Sequence, residues 1–269
     1  MTYIIAISNE KGGVAKTTTT FSLGAALVET GNKVLLVDLD PQGNLTLANG
    51  FEPGDTKYHT AEILLDNLNA KDAVQRTNIA NLDIIPSNPR VADAEQFLPV
   101  QINYAQKLKN ALISNDLGYD YVIMDCPPSM GAITTNALTA ANLLIIPTQS
   151  EYFSAYALRD MMKVIRQIRE ETNPGLAYRL LITMLDQRNR THRAIREQLQ
   201  QTFGTGLFDT VIEIDTRLRE SPIIGIPITK YRSNSRGSLQ YRALAQELTA
   251  YIQQQKSLQL PQEVFSPIQ

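Results

Sequence analysis

Short apolar runs alternate along the chain with stretches of helical periodicity. Tyr3 to Ile7, Val34 to Val37, Leu82 to Ile85, Tyr121 to Met124, Leu143 to Ile146, Tyr178 to Met184 and Val211 to Ile214 predict strands. Leu82 to Ile85 and Leu143 to Ile146 are each followed by proline, which predicts their ends. Runs such as Val34 to Val37 are continuously apolar, as expected of parallel strands buried on both faces. Between them, Thr18 to Glu29, Thr60 to Leu68 (with Thr60 as cap), Val91 to Leu112 (interrupted near Pro99), Ile133 to Ala141, Tyr152 to Glu171 and Leu239 to Gln254 predict helices. Leu158, Met161, Met162, Ile165 and Ile168 form an apolar stripe on one of these, predicted to be core or a dimer seam. The pattern predicts a single doubly wound α/β domain, its sheet mostly parallel with helices on both faces, over residues 1–255. A polar C-terminal tail follows at 256–269.

The first strand leads into candidate chemistry. It runs through Ser8-Asn9-Glu10 into Lys11-Gly12-Gly13-Val14-Ala15-Lys16-Thr17-Thr18 and then an apolar helix. Strand, glycine-rich loop and helix N-terminus together place backbone N–H groups around a polyphosphate. In such a loop Lys16 would reach the β- and γ-phosphates and the Thr17 hydroxyl would bind Mg²⁺. The usual spacing G-x-x-x-x-G-K-[ST] is not met, because Glu10 and Ala15 occupy the two glycine positions. A strand-turn-helix whose glycines serve the turn alone is the competing reading. Acids at the ends of later strands weigh against it. Asp38 and Asp40, two apart after the second strand, would face the same way. Asp125 closes another apolar strand and is placed to hold Mg²⁺ through water.

Composition narrows the classes without choosing among them. Cys126 is the only cysteine, which excludes a disulfide within the chain and a paired-cysteine metal site, and suits a reducing cytosol. It is expected to be a small buried residue. His59 and His192 are far apart in sequence, so no histidine metal site is expected. The chain opens on a strand, and no signal peptide or membrane-spanning run is expected. Net charge is −2, but unevenly spread. Residues 1–150 carry nine Lys+Arg against fifteen Asp+Glu, and residues 151–269 carry sixteen against twelve. The basic C-terminal half offers a local patch to an anionic partner, with scattered solvated charge as the plainer alternative.

The stretch K-G-G-V-A-K-T-T, with Lys11 five residues before Lys16, resembles the deviant Walker A box of the ParA/MinD family of ATPases. D-L-D-P-Q-G-N at 38–44 resembles that family's first switch region, and D-C-P-P at 125–128 its second. T-R-L-R-E-S-P and S-R-G-S-L-Q-Y near the C-terminus resemble its last segment more weakly. The resemblance implies a phosphate-loop fold and ATP with Mg²⁺ as nucleotide and cofactor. ATP would contact Lys11, Gly12, Gly13, Val14, Ala15, Lys16, Thr17 and Thr18. Lys11 would cross a dimer interface to the partner's nucleotide, Asp40 would position the attacking water, and Thr17, Asp38 and Asp125 would serve the metal, Asp38 by supporting its shell or by ordering the loop. Ala15 replaces the commoner glycine and is expected to fit a helical position with negative φ, so that nucleotide binding survives. Glu213 stands where a proline near the adenine pocket is common.

The resemblance further implies an ATP-dependent homodimer that binds nonspecific DNA through Arg188 and Arg217, supplemented by Arg190 and Arg219. A ParB-like or other adaptor would stimulate slow hydrolysis, in a cytoplasmic, nucleoid-associated protein that partitions or positions cargo. Two other readings stay open. A MinD-like membrane-associated ATPase would need a basic amphipathic C-terminal helix, and the tail has only Lys256. A regulatory scaffold would bind nucleotide without turnover.

Overall fold

Residues 2–113, 117–151 and 154–259 are described by a computed structural model. The N-terminal half runs β1 (Tyr3–Ile7), α1 (Lys16–Glu29), β2 (Val34–Asp38), α2 (Asn44–Ala48), α3 (Thr60–Asp66), α4 (Ala70–Ala73), β3 (Gln75–Arg76), β4 (Leu82–Ile85), α5 (Asp93–Phe97) and α6 (Lys107–Ile113). It continues with β5 (Tyr121–Asp125), α7 (Ala132–Ala140), β6 (Leu143–Gln149), α8 (Ser154–Glu171), β7 (Ala177–Thr183), α9 (Arg190–Phe203), α10 (Arg217–Ile224), α11 (Ile228–Tyr231) and α12 (Arg236–Gln259). The sheet order is β3-β4-β2-β5-β1-β6-β7, with every pair parallel except β3 on β4.

Alternation along each strand builds two cores. Ile4 and Ala6 of β1, Leu35 and Val37 of β2, and Val122 and Met124 of β5 point to one face, packed against residues of α3, α5, α6, α7 and α8. Ile5, Ile7, Leu36 and Ile123 point to the other, against α1, α10 and α12. Helix α1 leaves β1 for the second face, and α7 leaves β5 for the first. β1 and β5 are neighbours, so a crevice opens between their carboxyl ends, where open α/β sheets bind ligands.

Several boundaries differ from expectation for physical reasons. β6 does not stop before Pro147 but runs to Gln149. β1 pairs with β6 only through Ile145, so the missing Pro147 N–H faces a side where β1 has already ended. The Val91 to Leu112 helix is instead short pieces, because Pro99 removes a donor and Asn103 takes φ 56°. Val211 to Ile214 forms no strand and contributes one bridge, Leu185 to Glu213. His59, not Thr60, caps α3, in a box with Glu62. The two-residue β3, polar and at an edge, carries no apolar signal and was not expected. The α8 stripe is core: Leu158, Met161, Ile165 and Ile168 are buried and Met162 half-buried. Tyr152, the expected start of that helix, lies outside the described residues. Helix α12 extends to Gln259, into the tail expected from 256.

One contact fixes the segment after Asp125. Helix α7 has Gly131 at its N-cap, with no side chain to offer. The Glu95 carboxylate, from α5, accepts from Ala132 N–H (2.6 Å), Ile133 N–H (3.4 Å) and the Ser129 hydroxyl (3.4 Å). A Cβ at Gly131 would fall 1.9 Å from Glu95 Oε2. Gly131→Ala should therefore expel the carboxylate and cost about 1–2 kcal/mol of stability in urea unfolding, the cost of a lost cap. An unchanged midpoint would mean that Glu95 does not hold α7.

Candidate nucleotide site

The loop between β1 and α1 is tied from outside by the ends of two other strands. Gln149, closing β6, donates to the Gly13 carbonyl (3.1 Å), and the Thr183 hydroxyl, closing β7, donates to the Val14 carbonyl (3.1 Å). A trans peptide sets its N–H opposite its C=O, so the Val14 and Ala15 amides point away from these anchors. Asn9 braces the loop base, donating to the Pro147 carbonyl (2.7 Å) and accepting from Lys11 N–H (3.0 Å). Lys16 closes the loop: its ammonium donates to the carbonyls of Asn9 (3.0 Å) and Lys11 (3.1 Å). Burial pushes its pKa down, opposed first by the nearby charge of Asp125 and also by that of Asp40.

Ala15 departs from expectation. Its φ is 69° and ψ 33°, left-handed rather than helical, at the cap of α1. A Cβ in that region costs on the order of 1–2 kcal/mol, so the strain that glycine avoids is present. Gly13 shares this conformation, at φ 72°, without the penalty.

The acids converge on the same crevice. Asp38 and Asp125 end adjacent strands in register. Asp38 is fully buried and both its oxygens are engaged, Oδ2 by Thr46 N–H (2.8 Å) and hydroxyl (2.7 Å), Oδ1 by Asp40 N–H (3.1 Å). These bonds tie Asp38 to the segment that follows β2. Burial raises its pKa to about 6 against those hydrogen bonds. Asp125 is buried too, its pKa pushed up by burial first and then by the Asp38 charge, while the hydroxyls of Thr17 and, to Oδ1 at 3.4 Å, Thr20 donate to it. Among the described residues its Oδ2 has no hydrogen-bond partner. A buried carboxylate oxygen left unpaired beside a threonine hydroxyl is a hard-oxygen donor set that suits Mg²⁺. Among the described residues no cluster of three His, Cys, Asp or Glu side chains forms a complete metal cage, so water and phosphate oxygens would complete such a shell. Asp40 is half-buried above the crevice, its carboxylate accepting from Gln42 N–H (2.9 Å).

Lys11 is turned back on its own chain. Its ammonium contacts Gln149 Oε1 (3.1 Å) and Glu151 Oε2 (2.5 Å). Cys126 is buried, as expected, with burial raising its thiol pKa. His192 accepts from Asp186 N–H, and His59 is enclosed by Thr56 and Asn88.

Beside the loop lies a cleft whose walls include Ala15, Thr18, Met184, Ile212, Ile214 and Leu218. Glu213 stands in its wall as well, held by Arg236 (2.7 Å), Gln187 (2.8 Å) and Gln240 (3.2 Å). The four arginines sit in different settings. Arg188 is almost fully exposed and paired with Asp186 (3.1 Å), and Arg190 opens α9. Arg217 lines an open polar cleft with Lys230 and Arg232, whereas Arg219 lines the cleft beside the loop. Residues that sequence reasoning missed, Asn9, Thr20, Gln149, Glu151 and Thr183, are polar groups at strand ends or inside α1. The strand-end residues are marked only by following an apolar run, and Thr20 only by its place one helical turn after Lys16.

Fold, loop and acids define a phosphate-loop nucleotide-binding α/β protein. A family model described as an AAA domain matches residues 2–178. The sporulation initiation inhibitor protein Soj of Bacillus subtilis is 42% identical over 248 residues, covering 92% of this chain and 98% of Soj. The chromosome partitioning protein ParA of Caulobacter vibrioides is 35% identical, covering 91% and 93%. A Mycobacterium smegmatis structure named cobyrinic acid a,c-diamide synthase, with ATP analogue and magnesium bound, superposes with TM-score 0.81 at 35% identity over 94% of this chain and 96% of that one. The chain belongs to the ParA/MinD family of phosphate-loop ATPases.

The unpaired Asp125 oxygen yields a prediction. Removing a buried, uncompensated charge relieves the nucleotide-free fold, so Asp125→Asn should raise its Tm by about 2–6 °C. The same variant should lose any Mg²⁺-dependent gain in Tm with ATP. A lowered Tm without nucleotide would show that the charge is already compensated. Ala15→Gly, relieving the left-handed strain, should raise Tm by about 1–3 °C in the same scan.

Proposed function

We propose that this protein is an ATP-dependent dimerising ATPase that binds DNA without sequence preference and positions cargo with an adaptor that stimulates hydrolysis. The observation that carries the reading is the two-lysine loop: Lys16 buried within it, Lys11 free of the phosphate cradle, and Thr17, Asp40 and Asp125 gathered at its mouth. The relatives named Soj and ParA support partitioning as the biological setting.

In this reading the loop amides and Lys16 bind the β- and γ-phosphates and take up the charge that grows on them as the bond to the leaving ADP breaks. Asp40 orients the water whose oxygen forms the new bond to the γ-phosphorus. Mg²⁺, when bound by the Thr17 hydroxyl and, through water, Asp125, supplies charge neutralisation at the phosphate oxygens. Asp38 fixes the segment that carries Asp40. Lys11 leaves Glu151 and Gln149 to meet the nucleotide of a second copy, which links ATP to dimerisation. Arg188, Arg190 and Arg217 would meet phosphates along a duplex, each contact adding salt dependence.

Amide synthesis, suggested by the name of the M. smegmatis protein, is less well supported. Drawing ammonia from glutamine calls for a reactive thiolate, and the only cysteine is buried with its pKa pushed up.

Lys11→Ala should keep ATP affinity within about threefold, yet lose ATP-induced dimerisation in sedimentation and at least about tenfold in phosphate release. Normal turnover in that variant would overturn the role given to Lys11. Binding to random-sequence duplex should need ATP and weaken steeply with salt, and Arg217→Glu should abolish it without touching dimerisation. Retained DNA affinity would place the contact surface elsewhere.

A further inference from the structure

Arg217 and Arg219 look equivalent in the sequence, two basic residues in T-R-L-R-E. Helix geometry separates them: two residues turn the chain by about 200°, so the pair faces opposite sides of α10. Arg217 lines the open polar cleft with Lys230, Arg232 and the turn before α12. Arg219 lines the cleft that begins at Ala15 and Thr18 of the phosphate loop.

A counter-ion role for Arg219 is already filled by other groups. The two carboxylates in that cleft, Glu213 and Asp215, are engaged elsewhere. Glu213 has Arg236, Gln187 and Gln240, and Asp215 accepts from Arg217 N–H (3.1 Å) and Gly237 N–H (3.1 Å). Among the described residues the Arg219 side chain has no ion pair or hydrogen bond, and its backbone N–H donates to the Thr216 carbonyl (2.9 Å). An exposed guanidinium therefore stands at the rim of a slot with Met184, Ile212, Ile214 and Leu218 in its walls, adjoining a loop that would hold phosphates. A flat heteroaromatic ring attached to a polyphosphate fits both halves of this arrangement. The apolar walls take its edges and the guanidinium plane stacks on its face.

We infer that Arg219 is a nucleotide residue that grips the base, not a DNA residue. It and Arg217 make α10 a bridge with the base on one side and the anionic partner on the other. The inference rests on the nucleotide reading of the loop and adds the residue that reads the ring.

The test compares wild type, Arg219→Ala, Arg219→Lys and Arg217→Ala. Equilibrium affinity is measured for ATP and for tripolyphosphate, which lacks the ring, and random-sequence duplex binding is measured at saturating ATP. Arg219→Ala should weaken ATP by roughly 3- to 30-fold, leave tripolyphosphate unchanged and leave duplex binding unchanged once ATP saturates. Arg219→Lys should fall between it and wild type, since the charge stays and the planar stack is lost. Arg217→Ala should leave both small-ligand affinities unchanged and weaken duplex binding. The side chain of Arg219 is exposed, and matching Tm values check that each variant folds.

Unchanged ATP affinity in Arg219→Ala would overturn the inference, as would equal losses for ATP and tripolyphosphate or a loss of duplex binding alone. Wild type that binds ATP no better than tripolyphosphate would overturn it while sparing the phosphate loop. Wild type that binds neither would sink the nucleotide reading itself.

Discussion

Three carboxylates and one ammonium share the crevice at the ends of β1, β2 and β5, and this imbalance governs the rest of the structure. Lys16 is satisfied by two loop carbonyls, Asp38 by Thr46 and the Asp40 amide, but Asp125 keeps one buried oxygen without a partner. Burying an uncompensated charge is expensive, and the raised pKa values of Asp38 and Asp125 record that cost. A cation bound at Asp125, carrying phosphate oxygens of its own, would relieve the carboxylate and give Lys16 anionic partners in place of carbonyls. The site is thus built to be incomplete, and its ligand supplies the missing charge.

The scaffold accounts for why this strain is tolerated. The central strands β1, β2 and β5 are buried on both faces, and the loop is pinned to β6 and β7 by Gln149 and Thr183. The left-handed Ala15 is held by that frame, not by its own preference. Around the crevice, polar contacts add to the packing of Leu39, Leu45 and Ala48. Asp38 and Ser87 hold the residues after β2, Glu95 holds those after β5, and a single pair of side chains holds Lys11.

Much of this was legible in the sequence because it rests on local rules. Apolar runs gave six of the strands, the K-G-G-V-A-K-T-T loop gave the cradle, and acids at strand ends gave Asp38, Asp40 and Asp125. What stayed hidden depends on tertiary context. Pro147 fails to end β6 because a neighbouring strand stops first, which no local pattern reports. Val211 to Ile214 has strand composition but its backbone hydrogen-bonds only to the backbone of Ile182 and Leu185 among the described residues and forms a single bridge, so no ladder forms. The negative φ expected at Ala15 was overridden by anchors from residues 149 and 183. The separation of Arg217 from Arg219 needed the start of α10, in a segment for which the sequence predicted no helix.

The most direct test of the central claim is calorimetric titration of the protein with ATP, with and without Mg²⁺, beside Lys16→Ala. Binding that strengthens at least about tenfold with Mg²⁺, and is lost in the variant, is the outcome this charge balance predicts. Binding indifferent to both Mg²⁺ and Lys16 would contradict it, since the crevice would then need neither the cation nor the ammonium to hold a polyphosphate.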